Sequence, residues 1–149
     1  MAYQTESLEG RVALVMGASG VIGSSVARAL AREKARVYVH YNSHELEAQK
    51  VREEIEQYGA FAALVKADVT NDEQLQELFK LIEKESERLD VMVYSTGLKI
   101  TGVLGKMDRE EEQKVMNVNY RGAVRTTEHA KRLMRKNEFG RLIYIANML

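Results

Sequence analysis

Val12-Ala13-Leu14-Val15-Met16-Gly17-Ala18-Ser19-Gly20-Val21-Ile22-Gly23 is the stretch whose reading decides the fold. Five apolar residues come first, too few for a helix, and read as a strand buried on both faces. Three glycines then follow at intervals of three. The chain must leave the strand sharply, let a pyrophosphate reach the backbone, and pack the next helix close to the sheet, and a Cβ obstructs each of these. The amides opening that helix, with the positive end of its dipole, suit an anion without needing a lysine. Gly17, Ser19, Gly20, Ile22 and Gly23 are therefore the expected phosphate-holding residues. Alone, such a triplet marks only a tight turn; its place after the first strand of a βαβ unit is what gives it meaning.

Outward from this turn the same alternation continues. Further short apolar runs at Val37 to His40, Ala62 to Val65, Val91 to Tyr94 and Leu142 to Ile145 read as strands. The stretches between them have helical period: Ala48, Val51, Ile55 and Tyr58 form one stripe, and Leu75, Leu78 or Phe79, and Ile82 another. Thr70-x-x-Glu73 and Asp108-x-x-Glu111 have the form of capping boxes, and Gly59 sits where a helix would stop. A last long helix is expected from about Val118 to Lys136, with Tyr120, Ala123 or Val124, Thr127, Ala130 and Met134 on one face and Gly140 ending it. The expected architecture is α/β, a doubly wound parallel sheet of about five strands in order 3-2-1-4-5 with helices on both faces. No repeat or linker interrupts it, so residues 1–149 read as a single Rossmann domain.

The composition bounds the chemistry. A chain of 149 residues can bury roughly 70% of its unfolded surface. Lys plus Arg and Asp plus Glu both total 22, so no global field recruits nucleic acid or an anionic membrane. The cationic run Lys131, Arg132, Arg135, Lys136 lacks interleaved aromatics and sits where a helix C-terminus favours cations. Cysteine is absent, which excludes disulfides, thiolate nucleophiles and zinc-thiolate sites. No signal-like or membrane-spanning apolar run occurs, so the expectation is a soluble, cytoplasmic protein. Proline is absent too, where average usage would supply roughly seven, which leaves redesign open.

With these residues in view, the chain resembles the short-chain dehydrogenase/reductase family over essentially its whole length, and within it the 3-oxoacyl-carrier-protein reductase type. Gly17, Gly20 and Gly23 resemble the family's glycine fingerprint, with the spacing of its extended members. Met16 stands where the family usually has Thr, and Val21 where the compact type has Gly. The residue ending strand two separates the cofactors, because an acid there binds a free ribose 2′-hydroxyl and repels a 2′-phosphate. Here the segment is His40-Tyr41-Asn42-Ser43. It carries no acid, and Asn42 and Ser43 offer donors, which favours NADP(H) over NAD(H). Capping the next helix is a competing role for both, and His40 and His44 read as surface histidines or as added charge near a phosphate. Asp68-Val69 resembles the family's Asp-Val pair, whose Asp binds adenine, with helix capping as the alternative. Tyr94-Ser95-Thr96-Gly97 replaces the family's Asn-Asn-Ala-Gly, and only Gly97 carries over.

The resemblance implies a catalytic side that is half present. Asn119, in Asn117-Val118-Asn119-Tyr120, aligns with the asparagine whose backbone helps hold a water in the family's proton relay, with a helix-start role as the alternative, while Asn117 reads as a helix-start residue. Asn147 falls at the position of the catalytic serine, where an amide can still donate to a carbonyl; a one-residue gap or lost function accounts for it equally well. Tyr120, Tyr144 and Lys131 lack the family's Tyr-x-x-x-Lys spacing, in which the Tyr serves as general acid. The expectation is thus the cofactor-binding part of a short-chain oxidoreductase acting on a small carbonyl or alcohol substrate when completed, inactive alone and lacking the C-terminal catalytic segment. The alternative is a non-catalytic, truncated or redesigned Rossmann scaffold. Self-association into a homo-oligomer is also expected, because the apolar stripe of the helix bearing Tyr120 and Val124, which the family packs in a dimer interface, and an unpaired fifth strand both invite partners.

Overall fold

A computed structural model describes residues 7–100 and 108–146. Five parallel strands run β1 (Val12–Met16), β2 (Arg36–Tyr41), β3 (Ala62–Lys66), β4 (Val91–Tyr94) and β5 (Arg141–Tyr144). They lie in the order β3-β2-β1-β4-β5, the doubly wound order that the alternation of runs implies. Parallel neighbours need crossovers, and helices supply them: α1 (Val21–Arg32), α2 (Glu45–Gln57), α3 (Asp72–Ser86), α4 (Arg109–Met116) and α5 (Gly122–Lys136).

Side chains alternate across each strand, so the sheet feeds two cores. Val12, Leu14, Met16, Met92 and Tyr94 pack with Leu75, Leu78, Phe79 and Ile82 of α3 and Ala130, Leu133 and Met134 of α5. Ala13, Val15, Val37, Val39 and Val93 pack with Ala27 and Ala31 of α1 and Ala48, Val51 and Ile55 of α2. The alanines of α1 bring its axis close to the sheet.

Four sequence expectations are corrected. The last helix does not begin at Val118: the chain is already helical from Arg109, and residues Asn117–Arg121 form a π-turn between α4 and α5. Asn117 is therefore no helix start; its Oδ1 accepts from Gln113 Nε2 at 3.0 Å and Arg121 Nη1 at 2.7 Å within the helix. The N-cap of α3 is Asn71, accepting from Gln74 N, one residue beyond the expected Thr70. The Thr70 hydroxyl instead donates to Asp68 Oδ1. Gly140 does not end the helix, which stops at Lys136; a Cβ there would lie 2.4 Å from Met134 Sδ, so packing requires the glycine. Finally, β5 is not buried on both faces, and Ile143 remains 47% exposed at the sheet edge. The cap of α4 is Asp108 as expected, with its side chain accepting from Glu110 N, and Gly59 follows α2 with φ +74°.

The lower end of the sheet is held by one buried anion. Asp90, 0% exposed, accepts from Val12 N at 2.9 Å, Arg11 Nη1 at 2.9 Å, and Arg88 Nε and Nη2 at 2.8 and 2.6 Å. Burial works to raise its pKa, but the bonds from Arg88, Val12 and Arg11 outweigh burial and hold the carboxyl below its ordinary value. The Asp90 backbone also links β1 to β5, with its N–H on Val12 O and its carbonyl accepting from Arg141 N. Replacing Asp90 by Asn keeps the shape but removes the charge that three donors address, and should lower stability by about 2 kcal/mol. Urea denaturation at neutral pH checks this; an unchanged midpoint would remove Asp90 from any structural role.

Candidate dinucleotide site

The strand-to-helix turn is built from close backbone approaches. Gly17 has φ +75°, and a Cβ on it would lie 2.9 Å from both Thr96 N and Thr96 Oγ1. A Cβ on Gly23 would lie 2.3 Å from Gly17 O and 2.6 Å from Ser95 Oγ. Both glycines are thus required by the protein's own packing. Gly20 differs: its Cβ would meet only Gly17 O at 3.4 Å, so the space beyond it is open. Gly20 N donates to Gly17 O, and the first bond of α1 runs from Ser24 N to Gly20 O. The amides of Val21, Ile22 and Gly23 precede that bond, and Gly20 brings no side-chain cap. The Ser24 and Ser25 hydroxyls both donate to Val21 O, so neither competes for those amides. Ser19 is half-buried within the turn.

His40 is not the surface histidine that sequence reading expected. It is 1% exposed; its Nδ1 accepts from Gly17 N at 2.9 Å and its Nε2 lies 2.9 Å from Ala67 O. One partner is a donor and the other a carbonyl, so the ring is neutral with its proton on Nε2. Burial above all, against smaller opposing effects of the Ala67 carbonyl and the Asp68 carboxylate, pushes its pKa down to about 4. The signal in the sequence was its place inside the apolar run Val37-Tyr38-Val39-His40-Tyr41, where a side chain has no route to water.

Beyond β2, Asn42 and Ser43 are exposed. The N-cap of α2 is His44, without a side-chain cap bond, so neither residue has the capping role weighed for it; Ser43 Oγ lies 3.2 Å from His44 Nδ1. After β3, Asp68 Oδ1 accepts from Thr70 N at 2.8 Å and Thr70 Oγ1 at 2.7 Å, closing a local turn. Asp68 N donates to Gln74 Oε1. Val69 is buried against Gly122, where a Cβ would come within 2.9 Å of the valine and 2.7 Å of Tyr94 Oη.

Beside the turn, Ile22, Tyr94, Gly97, Leu98, Asn119 and Tyr144 help line a cleft of about 720 Å³. Asn119 sits in the π-turn and grips the Leu98 backbone at both ends: its Oδ1 accepts from Leu98 N at 2.7 Å and its Nδ2 donates to Leu98 O at 3.0 Å. The Tyr94 hydroxyl donates to Val118 O at 2.6 Å, and burial raises its pKa well above the ordinary phenol value. Gly17 to Gly23, Asn42, Ser43, Asp68, Val69 and Gly97 all follow the carboxyl ends of parallel strands, so one edge of the sheet collects them. Asn147 lies outside the described residues. Among the described residues no His, Cys, Asp and Glu cluster could hold a metal ion, and no helix is long and apolar enough to cross a membrane.

The family model for short chain dehydrogenase matches residues 11–149. The chain belongs to the short-chain dehydrogenase family. It is 34% identical over 142 residues to a hydroxynaphthalene reductase-like protein Arp2 of Metarhizium robertsii, covering 95% of this chain and 52% of that protein. It is equally identical to a 3-oxoacyl-[acyl-carrier-protein] reductase of Synechocystis, again over 95% of this chain and 58% of the relative. The crystal structure of a dehydrogenase/reductase from Sinorhizobium meliloti superposes with a TM-score of 0.87 at 31% identity, covering 95% of this chain and 55% of that one. The chain spans about half the length of these relatives. Short-chain dehydrogenases use a nicotinamide dinucleotide, and the collected strand ends form the edge where an open α/β sheet takes such a ligand.

The His40 geometry has a measurable consequence. The unfolded imidazole takes up its proton near 6.5 and the folded one only near 4, so the unfolded state binds more protons between these values. Stability present above about pH 6.5 is lost as pH falls to about 4, by about 3 kcal/mol at most. Urea midpoints from pH 7 to 4 should fall more steeply for the wild type than for His40→Asn. Parallel curves would refute the assignment of a buried neutral imidazole.

Proposed function

We propose that this chain is the cofactor-binding part of a short-chain oxidoreductase that prefers NADP(H) to NAD(H). The observation that carries the preference is the end of β2, where no acid stands and where Asn42 and Ser43, free of helix-capping duty, offer donors to a ribose 2′-phosphate. The pyrophosphate would sit on the free amides of Ile22 and Gly23, with Ser19 and Gly20 lining its approach through the open space beyond Gly20. Asp68 keeps one carboxylate oxygen outside its turn for the adenine amino group, with Val69 and Gly97 flanking the adenosine. When bound, the dinucleotide supplies or accepts a hydride. The residues around the cleft orient it and shape the space for a small carbonyl or alcohol substrate, as the reductase names of two relatives suggest.

Proton delivery is the part this stretch does not carry. No tyrosine among the 149 residues has a lysine four positions on, and on a helix that spacing is what aims both at one point. Asn119 belongs to the proton-relay side through its backbone, because both ends of its amide are already engaged by Leu98. The 149 residues alone should give no steady NADPH oxidation with 3-oxoacyl or simple ketone substrates above a no-protein control. The same reading assigns the protein to the cytoplasm.

Calorimetric titration tests the cofactor reading. NADPH should bind at least tenfold more tightly than NADH, about 1.4 kcal/mol, and Gly23→Ala should abolish both through its clash with Gly17 O. Equal affinities would remove the preference. No heat with either nucleotide from a folded sample would favour the non-catalytic scaffold.

Self-association is expected from the exposed apolar surface. Met116, Tyr120 (60% exposed) and Val124 project from the α4–α5 helix, and Tyr144 and Ile143 from β5. Light scattering across a concentration series should show a homo-oligomer; a monomer at every concentration would rule it out.

A further inference from the structure

We propose that His40 is a positioning residue for the dinucleotide, and that it acts by fixing the orientation of a single peptide group, Met16–Gly17; this rests on the cofactor reading above. That peptide is clamped at both ends. Its carbonyl, Met16 O, accepts from Ser95 N at 3.0 Å and Ser95 Oγ at 2.7 Å. Its N–H, on Gly17, donates to His40 Nδ1 at 2.9 Å. The next amide, Ala18 N, donates to His40 O at 2.9 Å. The histidine thus holds the first two amides of the glycine turn, one through its ring and one through its backbone.

The orientation matters because everything downstream is built on Gly17. Its φ of +75° sends the chain off β1, its carbonyl accepts from Gly20 N, and that same oxygen lies 2.3 Å from where a Cβ on Gly23 would be. The start of α1, whose amides face the phosphates, is therefore referenced to the plane of this one peptide. A glycine at positive φ has little steric preference of its own, so the plane is set by hydrogen bonds rather than by sterics. The second ring nitrogen ties the imidazole to Ala67 O, one residue before Asp68, so the phosphate turn, the end of β2 and the adenine side share one side chain. Sequence motifs do not mark this, since His40 lies outside the glycine pattern.

Two substitutions separate the two ring bonds. In His40→Asn the Oδ1 atom replaces Nδ1 and keeps an acceptor for Gly17 N, while the reach to Ala67 is lost. In His40→Gln the terminal amide replaces Nε2 and keeps a donor for Ala67 O, while the acceptor for Gly17 is lost. Calorimetry with NADPH should find His40→Asn within about threefold of wild type and His40→Gln weakened at least tenfold, although urea midpoints place the two at comparable stability. Amide hydrogen exchange read by NMR should find Gly17 N–H protected in the wild type and His40→Asn and fast in His40→Gln, with no nucleotide present. Equal binding by both variants, or affinity that simply tracks the urea midpoint, would overturn the proposal, as would equal Gly17 protection. A wild type that binds neither nucleotide would instead overturn the cofactor reading, whereas a binding wild type with indistinguishable variants sinks only the role of His40.

Discussion

The structure depends on the contact between the carbonyl of Gly17 and the backbone of Gly23. With a Cβ on Gly23 only 2.3 Å from that oxygen, nothing but glycine lets the first turn of α1 lie against the end of β1. That approach lets Ala27 and Ala31 reach the sheet beside Ala13 and Val15. It also turns the free amides at the start of α1 toward the open side. Packing and ligand chemistry are here one constraint: the absence of side chains that seats the helix also bares the backbone.

The two ends of the sheet solve opposite electrostatic problems. At the lower end the buried Asp90 carboxylate needs cations, and Arg11 and Arg88 supply them from partly exposed positions. At the upper end the buried polar group is His40, which stays neutral because both ring nitrogens are used by the backbone. A charged imidazole there would meet the Gly17 N–H donor with a second donor. The charged anchor thus lies away from the ligand edge, where the free amides opening α1 present the positive end of the helix dipole.

How far the fold and the site were legible in the sequence depends on the range of each signal. The runs Val12 to Met16 and Val91 to Tyr94 are strands with those bounds, because a buried parallel strand must be apolar throughout. The strand order and the glycine turn were equally readable, since crossovers and close approaches constrain residue type locally. The start of α3 was not: Thr70 and Asn71 are both good caps, and the choice fell to Asn71 because Thr70 is taken by Asp68. The hydrogen-bond role of His40 and the demand for Gly122 were hidden for another reason. Each depends on a partner distant in sequence, Gly17 for one and Tyr94 with Val69 for the other. The exposed face of β5 could not be foreseen from an apolar run, because composition does not say whether a helix covers it.

The π-turn joins these threads at the cleft. A helix running from Arg109 to Lys136 without interruption would keep one phase along its length; the i→i+5 turn at Asn117–Arg121 inserts an extra residue and rotates α5 relative to α4. Thr126, Ala130 and Leu133 then face the sheet, while Asn119 is left at the bulge, where it reaches the Leu98 backbone. Such a turn disturbs the helical hydrogen-bond ladder, and Val118 O there accepts from the buried Tyr94 hydroxyl. Tyr94 in turn fits only because residue 122 lacks a side chain, with Val69 closing the far wall. Tyr94, Gly122 and Val69 therefore form one packing unit that supports the Asn119 turn. The cleft wall is thus held by a phenol that donates to a main-chain carbonyl of the bulge.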